Sequence, residues 1–355
     1  MLTIYGATGY TGRLCAHEAV RCRIPLRIAG RRRDALEALA AELGTPVRVA
    51  VADATDPRSL TALAQSSDVL ITTVGPYLRL GLQVLEAALA GGSHYLDVSG
   101  EVPFLERVHR QQERARDAGI AVCPGFGFDG VPGELLAGIA ARELDGPVSS
   151  VRVAYAVDGG APSGGTVRSA LGIAARGGAA WIGGALVEEP VGADRWDAPL
   201  PGGTRATLSA PLPEAVTVGR STGADLVRAY VATPAAAALH AVAKPAGALL
   251  RGFARTPAWA LLERAAGGLP AGPGPGRRAR ATAAVLARVD GADGAAVAWA
   301  RMSDPYQLTA RIAVDVAARL LDGRIDRAGV LTPSQALAED AGSFLTSIGV
   351  DWGRR

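Results

Sequence analysis

The sequence predicts an α/β protein: a doubly wound parallel sheet that binds a dinucleotide, followed by a second α/β (α+β) domain. Three observations carry this. From Met1 to Cys123, short apolar runs alternate with helix-patterned segments. The runs lack the polar alternation of a half-exposed sheet, as strands covered by helices on both faces do. Three glycines, Gly6, Gly9 and Gly12, crowd the first strand–helix junction in "IYGATGYTGR".

Taken in order, the expected strands are Leu2–Tyr5, Leu26–Ala29, Val47–Val51, Val69–Val74, Tyr95–Val98 and Ile120–Cys123. The expected helices between them are Thr11–Arg21, Arg33–Leu43, Pro57–Ala64, Gly81–Ala90 and Val102–Ala118. Such alternation implies right-handed crossovers and parallel strands. Beyond it, "VSSVRVAYAVDG", "ARATAAVLARVDG" and "AAVAWARMS" point to a second sheet, and the Pro/Gly-rich Gly268–Arg278 reads as a flexible loop. The boundaries follow: residues 1–130 as the dinucleotide-binding domain, 131–304 as a substrate or dimerisation domain, with 305–355 returning to the first.

The 355 residues favour about two domains. A hydrophobic share of 49% against 20% charged supplies packed cores and excludes a disordered chain. Net charge is +3, Lys244 is the only lysine, and the arginines are spread out except at Arg31-Arg32-Arg33, so no nucleic-acid partner is expected. Cys15, Cys22 and Cys123 lack CxxC spacing, which argues against disulfides and zinc and for small buried fillers in a reducing compartment. No signal peptide is expected, because Leu2 already belongs to the first strand. Ala235–Leu250 is apolar, but His240, Lys244 and Pro245 interrupt it and it is shorter than the ~20 residues of a span. A cytoplasmic protein is expected, with peripheral membrane contact and a homodimer left open.

The opening glycines have a mechanism in this setting. Gly6 permits the tight turn off the first strand, Gly9 admits a pyrophosphate where a Cβ would block it, and Gly12 permits close helix–strand packing. The helix start then offers free N–H groups and partial positive charge, so Ala7, Thr8, Tyr10 and Thr11 belong to the same cradle. The second strand selects the cofactor. Where an NAD-preferring fold places an acid for the ribose, "RIAGRRRDAL" has Gly30, followed by Arg31 and Arg32. Glycine leaves room for a 2′-phosphate and guanidinium forks suit it, so the cofactor is NADP(H). Asp53, ending the third strand, either meets the adenine or closes the turn "DATDP".

"GATGYTGR", "AGRRRDAL", "VGPYLRLG", "GSHYLDVSGEVPF" and "PGFGFDGVPGELL" together resemble the saccharopine dehydrogenase-like oxidoreductases, in particular their trans-acting enoyl reductase branch. "APSGGTVRSAL" and "YQLTARIAVDVAARLLDG…GVLTPSQAL" extend the likeness, which is weakest between Gly177 and Pro275. The resemblance implies a Rossmann domain followed by an α/β domain.

Gly75 and Pro76 fix the turn after the fourth strand and place Tyr77 at the mouth of the cleft. There it serves as proton donor or nicotinamide shelf, or it packs as a lid residue. Ser99 and Gly100 lie beyond the fifth strand's end, where ligands of such sheets bind, and Asp97 is expected to bond the following loop. Glu101 either meets substrate or starts a helix. Asp129 is either a local acid or a helix cap, and Tyr306 is a further proton-donor candidate. The family pattern makes Thr166 and Arg168 candidates for the substrate cleft. No YxxxK pair, nucleophile elbow, paired-carboxylate motif or metal cluster appears, so the chemistry rests on the cofactor's hydride. The resulting expectation is an NADPH-dependent reductase of a conjugated C=C or related C=N bond in a hydrophobic, free or carrier-bound substrate. The alternatives are a saccharopine-type enzyme acting on an amino-acid imine and a non-catalytic NADP-binding partner protein.

Overall fold

The computed structural model describes residues 1–160, 163–164, 167, 171–172, 177–267, 272–337 and 340–355. The chain folds as two compact units. The first comprises Met1–Ser99, Pro103–Phe128 and Tyr306–Leu331; the second comprises Gly100–Val102, Asp129–Pro305 and Thr332–Arg355.

The first unit begins β1 (Leu2–Tyr5), α1 (Tyr10–Arg21), β2 (Leu26–Gly30), α2 (Arg33–Leu43), β3 (Arg48–Val51), α3 (Pro57–Gln65) and β4 (Val69–Thr72). It continues α4 (Tyr77–Gly91), β5 (His94–Asp97), α5 (Val102–His109), α6 (Gln112–Asp117) and β6 (Ala121–Cys123). Local chemistry sets several boundaries. Asp56 caps α3 by accepting from Arg58 N, with Pro57 in the first turn. Helices α2 and α4 stop at Gly44 and Gly92, both left-handed at φ 63° and 72°. The single helix expected over Val102–Ala118 is two, α5 and α6. Cys15 and Cys123 are buried as expected, but Cys22 is exposed because it follows α1 as its C-cap.

The second unit contains α7 (Val131–Ala141), β7 (Val148–Asp158), β8 (Gly178–Ile182), β9 (Ala185–Glu189), β10 (Arg195–Leu200), β11 (Gly203–Ala210), α8 (Glu214–Thr222) and β12 (Leu226–Ala232). Then come α9 (Ala236–Phe253), α10 (Pro257–Gly267), α11 (Pro275–Arg278), β13 (Thr282–Gly291) and β14 (Gly294–Ser303). The chain closes with α12 (Pro305–Leu321), β15 (Gly329–Val330), α13 (Pro333–Leu337), α14 (Ala341–Ser347) and β16 (Asp351–Arg354). Within the loop expected over Gly268–Arg278, α11 is one short helix; residues 268–271 lie outside those described.

The first sheet runs β15-β6-β5-β4-β1-β2-β3, all parallel. From β3 to β6 this is the 3-2-1-4-5-6 order of the Rossmann fold, whose crevice opens where the order reverses, between β1 and β4. Strands β1 and β4 are buried at every residue, whereas edge strand β3 is not. The second sheet is mixed: β10-β11-β12-β7-β13-β14-β16, with β8 also paired to β12 and β9 to β8. Its one parallel pair is β12 with β7 among the described residues. Helix α7 is buried from Val131 to Ala140, consistent with an apolar helix that serves as core rather than surface.

The segment 305–355 was expected to pack back on the first domain. It divides at Leu331. Gly329 N donates to Ile120 O (2.9 Å) and Val330 N to Gln112 Oε1 (2.7 Å), fastening β15 to the first sheet. Just beyond, Ser334 N and Oγ donate to Glu134 Oε2 (2.6 and 2.8 Å), fixing the remainder to the second unit.

Candidate functional site

The three opening glycines meet three different surroundings. Gly6 is left-handed at φ 86°, and a Cβ there would lie 2.8 Å from Thr73 Oγ1 and Val74 Cγ2. Thr73 Oγ1 in turn donates to Gly6 O (3.1 Å), so the loops after β1 and β4 touch at the switch point of the sheet. A Cβ on Gly12 would come 2.2 Å from Gly6 O and 2.8 Å from the Ala7 Cα. Close packing therefore demands glycine there. Gly9 differs: a Cβ would meet Gly6 O at 3.2 Å and nothing else within 4 Å. It is exposed and stands as N-cap of α1, without a side-chain cap and with no acid in the first turn. Such a helix start is an anion site by geometry and dipole. Ala7 N and Gly6 N both donate to Ala29 O, which seats the loop on β2, and Tyr10 meets Tyr306 edge-on at 5.1 Å.

Gly30 ends β2, and a Cβ there would meet nothing nearer than Leu36 Cδ2 at 3.8 Å. Arg31 and Arg32 are exposed and form no ion pair among the described residues, whereas Arg33 lies 3.6 Å from Glu37. Two guanidinium groups thus stand outside any ion pair among the described residues, beside a position with room for a phosphate, with the Asp53 carboxylate near enough to feel the Arg31 charge. Asp53 Oδ1 accepts from Thr55 N (2.8 Å) and Thr55 Oγ1 (2.7 Å). Those bonds, with the Arg31 charge adding to them, hold its carboxyl below the usual range. Asp53 therefore closes the turn after β3.

Tyr77 is not at the mouth of the cleft. It is buried at the start of α4, its hydroxyl donates to Thr72 O (3.2 Å), and its ring packs 5.6 Å from that of Phe104. Gly75 sits against the same ring, 3.6 Å from a Cβ built on it, with Pro76 as the N-cap of α4. Asp97 Oδ1 accepts from Ser99 N and Gly125 N, both at 2.9 Å, tying the ends of β5 and β6 together as expected for a buried carboxylate. Ser99 is buried with it.

In the second unit, Gly130, which has no side chain to cap with, holds the N-cap of α7. The Asp129 carboxylate rests instead over Gly100, where a Cβ would lie 2.5 Å from its Oδ2. Burial pushes the Asp129 carboxyl above its ordinary value. Glu101 is half-buried beside Gly100. Gly133, in the first turn of α7, donates its N–H to the Tyr155 hydroxyl (3.1 Å), which itself donates to Glu214 Oε1. Glu214 is fully buried and its Oε2 has no partner. Burial drives the Glu214 carboxyl and the Tyr155 hydroxyl well up, and the charges of Asp129 and Glu134 push Glu214 further. Glu134, also fully buried, is raised by burial against its bonds from Ser334. Asp129, Glu134 and Glu214 thus form a protonatable group around the start of one helix.

Tyr155 and Glu214 escaped the sequence reading. Their signal was a polar side chain inside the apolar strand "RVAYAV" and an acid opening the apolar helix "EAVTVG". Thr166 and Arg168 lie outside the described residues. Among the described residues, no group of His, Cys, Asp and Glu could hold a metal ion.

Residues 2–123 match the saccharopine dehydrogenase NADP binding domain family. The chain is 31% identical over 193 residues to the saccharopine dehydrogenase-like oxidoreductase of Homo sapiens, covering 48% of this chain and 45% of that protein. It is 35% identical over 142 residues to the trans-acting enoyl reductase of Mycobacterium bovis (strain BCG / Pasteur 1173P2), covering 38% and 34%. The matched region thus spans less than half of each of these relatives. The fold superposes on apo saccharopine dehydrogenase (L-Glu forming) from Saccharomyces cerevisiae with a TM-score of 0.63, covering 100% of this chain and 99% of that one. At 15% identity this is a likeness of fold. The glycine loop and Arg31–Arg32 fall inside the matched domain; Asp129, Tyr155 and Glu214 fall outside it.

Proposed function

We propose that this chain, whose residues 2–123 are a saccharopine dehydrogenase NADP binding domain, is an NADPH-dependent oxidoreductase. It reduces a conjugated C=C bond, or a related C=N bond, of a hydrophobic acyl or polyketide-like substrate. The observation that carries the cofactor half is the pairing of an open Gly9 with Arg31 and Arg32, which have no ion-pair partner among the described residues. The residues fit the group. The N–H groups in the first turn of α1, beyond Gly9, would hold the pyrophosphate, and Arg31 and Arg32 would hold the 2′-phosphate.

Bound NADPH supplies the hydride, so the protein has to orient the substrate and supply one proton. Asp129 suits the second task, because its raised carboxyl retains a proton at higher pH than an ordinary aspartate. The Tyr77 hydroxyl, buried and donating to Thr72 O, suits that role less well. Two features favour an apolar enoyl substrate over an amino-acid imine. Among the described residues, the acidic or basic residues buried in the second unit are the acids Glu134 and Glu214, which offer no positive charge to a substrate bearing several carboxylates. Arg220, a second-unit cation of the type such carboxylates would need, stacks 4.7 Å over Trp181 and donates to Val216 O. One relative's name, a trans-acting enoyl reductase, agrees with that choice.

Single-turnover mixing of the protein and NADPH with panels of enoyl thioesters and cyclic or amino-acid imines tests the reading by loss of NADPH absorbance. Oxidation by enoyl substrates is expected. Oxidation by the imines alone moves the protein to saccharopine-type chemistry. NADPH binding without turnover across both panels leaves a non-catalytic NADP-binding protein.

A further inference from the structure

In helix α9, the larger side chains face outward. Leu239 is 47% exposed, Val242 49%, Leu249 76% and Phe253 43%. With exposed Ala246 they recur at intervals of three and four, which places them on one face of the helix. The adjoining side of the helix makes its contact with small groups. Ala236 and Ala243 are buried, Ala243 packs against Gly192, and His240 Nδ1 bonds Gly192 O at 2.8 Å. This inverts the usual amphipathic arrangement, in which the large apolar face is the buried one. Helix α10 continues the surface with Leu261 at 64% and Leu262 at 41%, and an edge-on contact of 5.8 Å between Phe253 and Trp259 fastens the two helices.

The clustering is specific. Every strongly exposed leucine and phenylalanine among the described residues lies between Leu239 and Leu262; the others in that class are valines and one isoleucine, scattered elsewhere. Residues 234–262 contain no aspartate or glutamate, while His240, Lys244, Arg251 and Arg255 supply all their ionisable groups. Among the described residues, no helix is long and apolar enough to cross a membrane.

We propose that the outward face of α9 and α10 docks on an anionic lipid surface, lying in the plane of the headgroups with Leu239, Val242, Leu249, Phe253, Leu261 and Leu262 inserted. Exposed leucines supply the apolar area. A segment whose basic residues, Lys244, Arg251, Arg255 and Arg264, outnumber its one acid, Glu263 in α10, supplies attraction to phosphate headgroups, the combination that interfacial helices use. The surface is independent of the cofactor reading, since none of these residues belongs to the nucleotide-binding domain.

The test is flotation of the full chain with vesicles of phosphatidylcholine alone and of an equimolar mixture with phosphatidylglycerol. Binding to the mixed vesicles is expected, with little to phosphatidylcholine alone and a decline at high salt. The double variant Leu249→Asp with Leu261→Asp alters two exposed side chains, so it should fold and titrate NADPH as the wild type does. Its vesicle binding should fall by about tenfold or more, since an inserted carboxylate must be desolvated. Wild-type protein that stays unbound to mixed vesicles overturns the proposal. So does undiminished binding of the double variant. If light scattering instead shows a wild-type dimer that the double variant turns into monomer, without vesicle binding, the face joins two copies of the chain and the lipid assignment fails.

Discussion

On the proposed reading, cofactor choice turns on Arg31 and proton supply on Asp129. Arg31 has no ion-pair partner among the described residues and stands beside Gly30, which leaves room for a phosphate. A charged hydrogen bond is worth roughly 1.5–3 kcal/mol, so Arg31→Ala should weaken NADPH binding by about ten- to a hundredfold. NADH lacks the phosphate, and its affinity should hardly move. Titrating both proteins with both cofactors checks this: an unchanged NADPH preference in the variant transfers the contact to Arg32. The proton donor is separable in the same way. Asp129→Asn should lower turnover by about 10²-fold or more with NADPH affinity intact. Tyr77→Phe, which loses one bond to Thr72 O, should cost about 0.5–1.5 kcal/mol of stability and leave the turnover number near wild type. A large fall in turnover for Tyr77→Phe restores it as the donor. The sequence named both residues, but their order of merit needed coordinates, because a tyrosine's spacing does not disclose which carbonyl its hydroxyl meets.

At the scale of the element, the loop between β1 and α1 separates a packing glycine from a ligand glycine. Gly12→Ala drives a Cβ to 2.2 Å from the Gly6 carbonyl oxygen, a backbone atom that cannot swing away. Overpacking of this kind costs about 1–3 kcal/mol or more, so the melting temperature should fall along with cofactor affinity. Gly9 has φ −75° and ψ 169°, which valine adopts without strain, and only one near neighbour at 3.2 Å. Gly9→Val should therefore melt close to wild type and fail to bind NADPH. If Gly9→Val binds as wild type does, the pyrophosphate does not approach there. The turn at Gly6 and the close packing at Gly12 were legible in the sequence from the strand before and the helix after. What it lacked was the loop after β4, whose Thr73 and Val74 press on Gly6 from 67 and 68 residues away in the chain.

For the whole molecule, the buried acids of the second unit set a pH dependence. Asp129, Glu134 and Glu214 all have carboxyls raised by burial from ordinary values of 3.8, 4.5 and 4.5. Above those values the native state keeps protons that the unfolded chain has released, so stability contributed by these groups falls as pH rises. It is fully present below the ordinary values and is lost through the raised ones. Glu214→Gln retains an acceptor for the Tyr155 hydroxyl and removes one titration. Urea unfolding across pH should show a shallower decline for this variant and a gain over wild type at alkaline pH. An identical slope in both proteins means Glu214 does not carry the retained proton. None of this was visible in composition, because the three acids are separated in sequence and meet only around the start of α7.

The sequence by itself determined the six alternating strands, the glycine loop and the basic end of β2. These are local features: each depends on residues within one strand–turn–helix unit, where period and backbone freedom suffice. Tertiary structure decided what depends on distant pairs. It split the C-terminal segment between two units, since Val330 bonds Gln112 while Ser334 bonds Glu134. It placed Tyr77 against Phe104 and turned Asp129 toward Gly100 rather than into a helix cap. It also left the large side chains of α9 exposed while burying Ala236 and Ala243, the latter against Gly192. A linear pattern shows which residues are apolar, but which face is buried depends on the partner that packs against it.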